Sequence, residues 1–216
     1  MGVLSGYRII ELSGIGPGPL CGMLFADLGA EVIRIDRKKT ALPNSKPKYD
    51  ITGRNKKSLS LNLKNAESLD VFNKLIKNAD ALIEGFRPGV TEKLGVGPDD
   101  CMKINPKLVY GRITGWGQTG PLSKVAGHDI NYIALAGALH SIGVIEKPIV
   151  PLNLIGDYGG GTMFLAFGVC AALLSASKTG KGQVVDAAMI DGVSTLTSIF
   201  YSLSQSGLWD VNKRGM

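Results

Sequence analysis

The sequence predicts an α/β fold in which a parallel sheet carries helices on both faces. Short apolar segments with strand patterning alternate with helical segments along the chain, an order that is typical of parallel sheets. Glycine is frequent and falls at many of the predicted strand-to-helix junctions, where the backbone bends or approaches a ligand. Ligands of such sheets bind at the carboxyl ends of the strands, so functional residues are expected in the loops that follow them.

The elements follow one another in an orderly way. Strands are predicted at 8–12, 31–36, 58–63, 81–84, 108–113 and 183–186. Helices are predicted from about 20 to 28, after Asn65, near His128, near Asp157 and from about Asp191. Asn65 is an expected N-cap because its side chain can accept a hydrogen bond from the first helical turn. The helices near His128 and Asp157 are expected to be long, apolar and buried.

Composition bounds the class of protein. With 216 residues, 44% of them apolar and 19% charged, the chain can bury a sizeable core and shows no disordered or fibrous bias. Cys21, Cys101 and Cys170 are widely separated and lack metal-ligand spacing, which indicates reduced thiols in a cytoplasmic protein without a metal site. The uncharged stretch 158–177 is long enough to span a bilayer, but its three leading glycines and its Thr, Ser and Ala content favour a core helix.

Basic residues crowd the segment between the second and third predicted strands. They are Arg34, Arg37, Lys38, Lys39, Lys46, Lys48, Arg54, Lys56 and Lys57. Such a cluster suits a polyanionic ligand, although a solvated basic loop is an equal alternative on charge alone. Nucleic acid is disfavoured as the ligand because neither aromatic interleaving nor a known binding motif accompanies the charge.

The loop after the first strand resembles a dinucleotide-binding turn only in part. Segment 14–19 is rich in glycine, but position 19 is proline where the fingerprint requires glycine. Arg37, beside Asp36 at the end of the second strand, favours a phosphomonoester over a free ribose hydroxyl. Arg87 directly follows another strand and also suits a phosphate, with Pro88 expected in the first turn of the next helix. A surface ion pair is the alternative for Arg87.

Two ionisable groups beside glycines are the strongest chemical signal. His128, one of two histidines, is followed by Asp129, and Asp157 precedes three glycines after an intervening tyrosine. A histidine and a carboxylate across a pocket can remove a proton from one face of a carbon and return one to the other. The helix dipole is expected to lower the pKa of Asp157. Two unrelated helix-capping residues are the alternative reading.

These segments resemble the family III coenzyme A transferases, and in particular their alpha-methylacyl-CoA racemase branch. The motifs that carry the resemblance are 127–132 (GHDINY), 151–154 (PLNL), 157–161 (DYGGG), 11–14 (ELSG) with 17–19 (PGP), 34–37 (RIDR), 86–90 (FRPGV), 115–120 (GWGQTG) and 180–183 (GKGQ). They span essentially the whole chain in the family's order. The resemblance implies that residues 1–216 are the N-terminal portion of a Rossmann-like large domain that binds coenzyme A and performs the catalysis.

The resemblance also assigns the site. It implies that His128 and Asp157 are the acid/base groups and that Asp129 supports His128. Coenzyme A, which is part of the substrate and not a separate cofactor, would be contacted by a further set of residues. These are Arg37, Leu61, Asn62, Leu63, Lys64, Arg87, Gly127, Ile130, Asn131 and Tyr132.

The implied reaction is epimerisation of 2-methylacyl-CoA thioesters by 1,1-proton transfer through an enolate. Two alternatives stay open: a coenzyme A transferase with Asp157 as nucleophile, and a coenzyme A-binding protein without turnover. Family members are longer, so a small domain, a return segment and a further site glutamate are expected beyond this sequence. The resemblance also implies an interlocked homodimer. On the motif and composition arguments above, neither nucleic acid nor a membrane is expected as a partner.

Overall fold

The computed structural model describes residues 2–37, 49–144 and 146–213. Its strands are β1 (Arg8–Leu12), β2 (Glu31–Asp36), β3 (Lys57–Ser60), β4 (Ala81–Glu84), β5 (Val109–Thr114), β6 (Gly143–Val144), β7 (Lys147–Pro148) and β8 (Val184–Ala188). Within these ranges, six of the strands form a parallel sheet in the order β3-β2-β1-β4-β5-β8, and β6 pairs with β7 as an antiparallel hairpin. The predicted α/β fold with a parallel sheet is confirmed.

Helices cover both faces of this sheet. They are α1 (Pro17–Asp27), a 3₁₀ turn (Ile51–Gly53), α2 (Ala66–Lys77), α3 (Val90–Lys93), α4 (Pro98–Ile104), α5 (Asp129–Leu135), α6 (Ala138–Ser141), a π-helix (Leu154–Met163), α7 (Phe164–Thr179), α8 (Met189–Leu196) and α9 (Ser198–Gln205).

The core lies on both sides of the sheet because the central strands are apolar on both faces. On one face, Ile9 of β1 packs with Phe25 of α1 and Val169 of α7. On the other face, Ile10 packs with Phe72 of α2. All five side chains are fully buried, and each such burial stabilises the fold by about 1.5–3 kcal/mol. This double cover fixes the sheet, so the loops at its carboxyl edge have a rigid base.

The region around α2 follows the sequence pattern with one correction. The Asn65 side chain accepts a hydrogen bond from Ser68 N at 2.9 Å, so the predicted N-cap is confirmed. The preceding strand was predicted to run over 58–63, but β3 ends at Ser60. Leu61 N still bonds Asp36 O at 3.0 Å, after which the chain turns towards the helix. The residues that leave the sheet here line a cavity, as described below.

The first predicted long apolar helix is short and interrupted. Helix α5 ends at Leu135, and Gly137 adopts a left-handed conformation with φ of 78° before α6 begins. The last predicted helix begins at Met189, two residues before the expected Asp191, and α8 and α9 are separated at Thr197. Apolar composition alone did not reveal these breaks.

Three further helices begin at residues other than the predicted ones. Helix α1 begins at Pro17, where the fixed φ of proline suits the first turn, and not at Leu20. Helix α3 begins at Val90, so Pro88 lies outside it and Gly89 caps it with φ of 83°. The helical stretch near Asp157 begins three residues earlier, at Leu154, and its first ten residues form a π-helix. π-Helical turns are rare and occur often at functional sites.

Most described members of the basic cluster are ion-paired within the fold. Arg34 binds Asp36 and Asp50, and Lys57 binds Glu31. Arg54 binds Asp27, and Lys56 binds Glu11 at 2.5 Å with both side chains almost fully buried. Lys38, Lys39, Lys46 and Lys48 lie outside the described residues. Among the described cluster members, Arg37 is the one that lines a cavity.

One helical stretch of the described chain, Leu154–Thr179, is long and apolar enough to cross a membrane by length and composition. Its second part, α7, buries Leu165 and Val169 against the sheet. Phe167 is 76% exposed and Leu174 is 59% exposed on the same helix. The expected core helix is therefore buried on one face and presents apolar side chains on another.

Candidate active site

A cavity of about 350 Å³ lies at the carboxyl edge of the sheet. Its walls come from the ends of β1, β2 and β3 and from the segment that follows β4. The lining residues are Leu12, Ser13, Ile35, Asp36, Arg37, Leu61, Asn62, Leu63, Lys64, Phe86 and Leu94. The structure thus brings five of the predicted coenzyme A contacts, Arg37 and the run Leu61 to Lys64, into one cavity. Its volume lies within the range of small-molecule sites.

The cavity combines an apolar wall with a cationic edge. The Arg37 guanidinium lies 5.5 Å from the centre of the Phe86 ring, in a cation–π contact that stabilises the guanidinium at this position. Arg37 and Lys64 are exposed at this edge. Asp36, the acidic member of the lining, is held by Arg34 Nε at 3.0 Å and by Ser58 Oγ at 2.7 Å. The arrangement suits a ligand with an apolar body and anionic groups.

A second group of polar side chains lies where α5 and the π-helix begin. His128 is the exposed N-cap of α5, and its backbone N–H donates to Asn131 Oδ1 at 2.9 Å. Asp129, the first residue of α5, is 5% exposed. Asp157 lies in the first turn of the π-helix and is partly buried. The structure therefore brings together the starts of the two helices that the sequence singled out.

A hydrogen bond joins the two helix starts directly. Asp157 N donates to Asp129 Oδ2 at 2.7 Å. Gly156 permits this approach, because a Cβ added there would lie 2.7 Å from the same oxygen. Among the hydrogen bonds of the described residues, the Asp129 carboxylate accepts from Asp157 N and none joins it to the His128 imidazole, so the support of His128 by Asp129 stays a prediction. Asp129 Oδ1 is buried and has no partner within the described chain.

Burial raises the pKa of Asp157 above its ordinary value, and the charge of Asp129 adds to the rise. A long hydrogen bond from Asn153 Nδ2, at 3.4 Å, and the nearby His128 lower it in part. The direction is opposite to the one expected from a helix dipole, and the largest cause is the loss of water at this partly buried carboxyl. A raised pKa favours the protonated carboxyl, the form that can donate a proton.

Tyr132 packs behind this group of side chains. Its ring lies 4.7 Å from that of Trp116 in an edge-to-face contact. Gly115 and Gly127 are required beside it, because added Cβ atoms would lie 2.2 Å and 2.7 Å from the tyrosine ring. Burial raises the pKa of Tyr132 to about 12, and the charge of Arg87 opposes the rise. Tyr132 and Gly127 therefore shape the site through packing.

The two remaining predicted contacts on α5 differ from Tyr132 in exposure. Ile130 is 42% exposed, and Asn131 is exposed and caps the helix through His128 N. Arg87 is exposed and absent from the cavity lining, although it lies within electrostatic range of Tyr132. The structure thus places Arg87 towards α5 and Arg37 at the cavity.

The loop after β1 connects the cavity with the helix starts. Ser13 lines the cavity, and a Cβ on Gly16 would lie 3.8 Å from Asp157 Oδ2. Three residues of extended chain span at most about 11 Å, so the two places are adjacent. Thr162 Oγ1 donates to Pro17 O at 2.9 Å and fixes this loop to the π-helix. One loop therefore lines the cavity and approaches Asp157.

Sequence reasoning missed several residues that form these places. Phe86 and Leu94 line the cavity, and Asn153 bonds Asp157. Phe86 and Asn153 were within the motifs noted above, so a signal was present. Leu94 reaches the cavity only because the segment after β4 folds back towards the sheet, and no local sequence pattern predicts that path.

Taken together, the parallel sheet, the helices on both of its faces and the cavity at its carboxyl edge define a Rossmann-like domain. The sequence profile of CoA-transferase family III matches residues 4–213. The chain belongs to CoA-transferase family III.

Relatives within this family differ in activity. The chain is 45% identical to the alpha-methylacyl-CoA racemases of Mus musculus and Homo sapiens, over 96% of its own length and 53% of theirs. It is 34% identical to a formyl-CoA:oxalate CoA-transferase of Escherichia coli, over 91% of its own length and 50% of that enzyme. The chain thus spans about half the length of the curated relatives it matches.

Solved structures confirm the fold. The Mycobacterium tuberculosis protein Rv3272 is 33% identical with a TM-score of 0.81, over 95% of this chain and 60% of that one. A CAIB/BAIF family protein from Brucella suis is 27% identical with a TM-score of 0.86, over 95% of this chain and 58% of that one.

Arg37→Ala should weaken coenzyme A binding by about 1.5–3 kcal/mol, the effect of losing a hydrogen bond between charged groups. Isothermal titration calorimetry with coenzyme A measures the change. Arg54→Ala is the matched control, because it removes another exposed arginine that is paired with Asp27 away from the cavity lining. Equal losses in both variants would contradict the place given to Arg37.

Asp129→Asn should lower the pKa of Asp157. The substitution removes a negative charge that raises this pKa, while the amide oxygen can still accept from Asp157 N. A ¹³C-carboxyl NMR titration measures the shift, with Asp157→Asn identifying the resonance. An unchanged or higher pKa would show that the Asp129 charge does not act on Asp157.

Proposed function

We propose that this chain carries the coenzyme A-binding cavity and the acid/base pair of an alpha-methylacyl-CoA racemase. The substrate is a 2-methylacyl-CoA thioester, and the reaction is 1,1-proton transfer at its alpha carbon. The observation that carries the proposal is that His128 and Asp157, a carboxyl whose pKa burial raises, lie near each other at two helix starts joined by a hydrogen bond. A cavity suited to coenzyme A lies at the carboxyl edge of the same sheet. The 45% identity to two racemases over nearly the whole chain supports it.

The two groups need opposite protonation states at the start of each turnover. In one direction, neutral His128 removes the alpha proton and protonated Asp157 delivers a proton to the opposite face. In the reverse direction, ionised Asp157 is the base and the imidazolium is the acid. The raised pKa of Asp157 favours the protonated carboxyl, the form that the first direction needs as its acid.

The intermediate enolate needs stabilisation, because an alpha proton of a thioester is far less acidic than imidazolium. The first turn of a helix leaves backbone N–H groups without intrahelical partners. Asp157 N is already bound to Asp129, so other N–H groups at the start of the π-helix would receive the enolate oxygen. Preorganised donors of this kind lower the barrier because they need no reorientation during the reaction.

Coenzyme A transfer is the competing function, because the family also includes a formyl-CoA:oxalate CoA-transferase. That chemistry needs ionised Asp157 as a nucleophile that forms an acyl anhydride, and it has no use for His128. A raised pKa reduces the fraction of ionised Asp157. The direction of this pKa shift therefore favours proton transfer over nucleophilic attack.

His128→Ala and Asp157→Ala should each abolish epimerisation in the full-length protein, because inversion needs a proton donor on the face opposite the base. Chiral chromatography of the released acids from a single 2-methylacyl-CoA epimer measures inversion. His140→Ala is the matched control, because it removes the other histidine of the sequence. The His140 Nε2 atom lies 2.7 Å from Val211 O and is not part of the helix starts that carry His128 and Asp157. Retained inversion in either site variant would refute the two-base assignment.

The same protein separates the rival activities. Hydroxylamine added during turnover should trap no anhydride, and an acceptor carboxylate should gain no coenzyme A. A stoichiometric hydroxamate at Asp157 would show that the protein is a transferase. Tight coenzyme A binding with neither inversion nor transfer would instead identify a binding protein without turnover.

A further inference from the structure

The segment 85–94, called the wall segment below, shapes one side of the cavity. It follows β4 and contributes Phe86 and Leu94 to the lining. Phe86 also lies under the Arg37 guanidinium. The shape of the cavity and the place of its cationic edge therefore depend on where the wall segment lies.

A buried ion pair holds the first end of the wall segment. Glu84, the last residue of β4, and Arg112 of β5 are register partners and are 1% and 6% exposed. Arg112 Nε donates to Glu84 Oε1 at 2.8 Å. The other carboxylate oxygen, Oε2, accepts from Phe86 N at 2.7 Å. The ion pair thus fixes the backbone of the residue that forms the cavity wall.

The same guanidinium reaches the later part of the wall segment. Arg112 Nη1 donates to Glu92 Oε1 at 2.7 Å, and Nη2 donates to Thr91 Oγ1 at 3.1 Å. Thr91 is fully buried, and both residues belong to α3. Arginine's planar fork can serve three acceptors in fixed directions, which the single ammonium of lysine cannot reproduce.

We propose that Arg112 is a positioning residue for coenzyme A binding, which it promotes by fixing the wall segment to the sheet at both ends. The proposal rests on the function proposed for the cavity. By itself, a buried ion pair is weak evidence that the pair stabilises the fold, because the free energy of removing two charges from water offsets much of their attraction. Here the pair makes hydrogen bonds to both ends of a segment that lines the cavity. Loss of the pair should therefore weaken ligand binding.

The test measures coenzyme A affinity in the full-length protein carrying Arg112→Lys. Calorimetry should show binding weakened roughly tenfold, with KM for the thioester raised and kcat changed less. Arg8→Lys is the matched control, because Arg8 and Glu31 form a cross-strand arginine–glutamate pair at the amino end of the sheet. This control should bind coenzyme A as the wild type does.

A double-mutant cycle distinguishes positioning from a general loss of stability. In a Phe86→Ala background the wall side chain is absent, so Arg112→Lys should cost less than about twofold in affinity. A merely structural role would give the same loss in both backgrounds. Glu92→Gln provides a second variant that will fold, because the Glu92 side chain is 45% exposed, and it should weaken binding about two- to threefold.

The outcomes separate the two proposals. A wild-type protein that does not bind coenzyme A refutes the function proposed for the cavity. A wild type that binds, with unchanged affinity in Glu92→Gln and in any folded Arg112→Lys protein, refutes the positioning role and leaves the cavity assignment standing. Equal losses with and without Phe86 also refute it.

Discussion

The hydrogen bond from Asp157 N to Asp129 Oδ2 is the contact on which the site depends. It joins the first turn of the π-helix to the first residue of α5, two elements separated by a hairpin in the chain. Because Asp129 is buried, the bond forms away from water and holds the two helix starts together. Burial raises the pKa of Asp157, and the charge of the same Asp129 carboxylate adds to the rise, so Asp129 acts on both the position and the pKa of Asp157.

Glycines make this arrangement possible at particular points. Gly156 leaves room for the Asp129 carboxylate, and Gly115 leaves room for the Tyr132 ring. Gly160 and Gly192 allow the π-helix and α8 to touch, since a Cβ on Gly192 would lie 1.9 Å from Gly160 O. Larger side chains at these positions would separate the helix starts from the sheet edge.

Much of the fold followed from local sequence pattern. The strands 8–12, 31–36 and 81–84 were predicted with their observed bounds because each is a short apolar run with turn residues beside it. Asn65 could be assigned because capping is a local hydrogen bond. The break at Gly137 and the π-helix could not be predicted, because both depend on packing against distant residues.

In the site, too, some features could be predicted from the sequence and others depend on how the elements pack. Arg37 and the run from Leu61 to Lys64 were assigned by resemblance, and the structure gathers them in one cavity. The direction of the Asp157 pKa was predicted wrongly. The resemblance assigned Asp129 to His128, but the hydrogen bond from Asp157 N to the Asp129 carboxylate was not foreseen, because it depends on how the two helix starts pack. The raised pKa reflects burial, which appears only when the elements pack.

The central claim is that two separate groups exchange protons with opposite faces of one carbon. The most direct measurement is a single turnover of one 2-methylacyl-CoA epimer by the full-length protein in heavy water, with configuration and mass read for each product molecule. The account predicts that every inverted molecule carries one deuterium at the alpha carbon, because the donating group exchanges with solvent before the substrate binds. Inverted product that retains the original protium would contradict it.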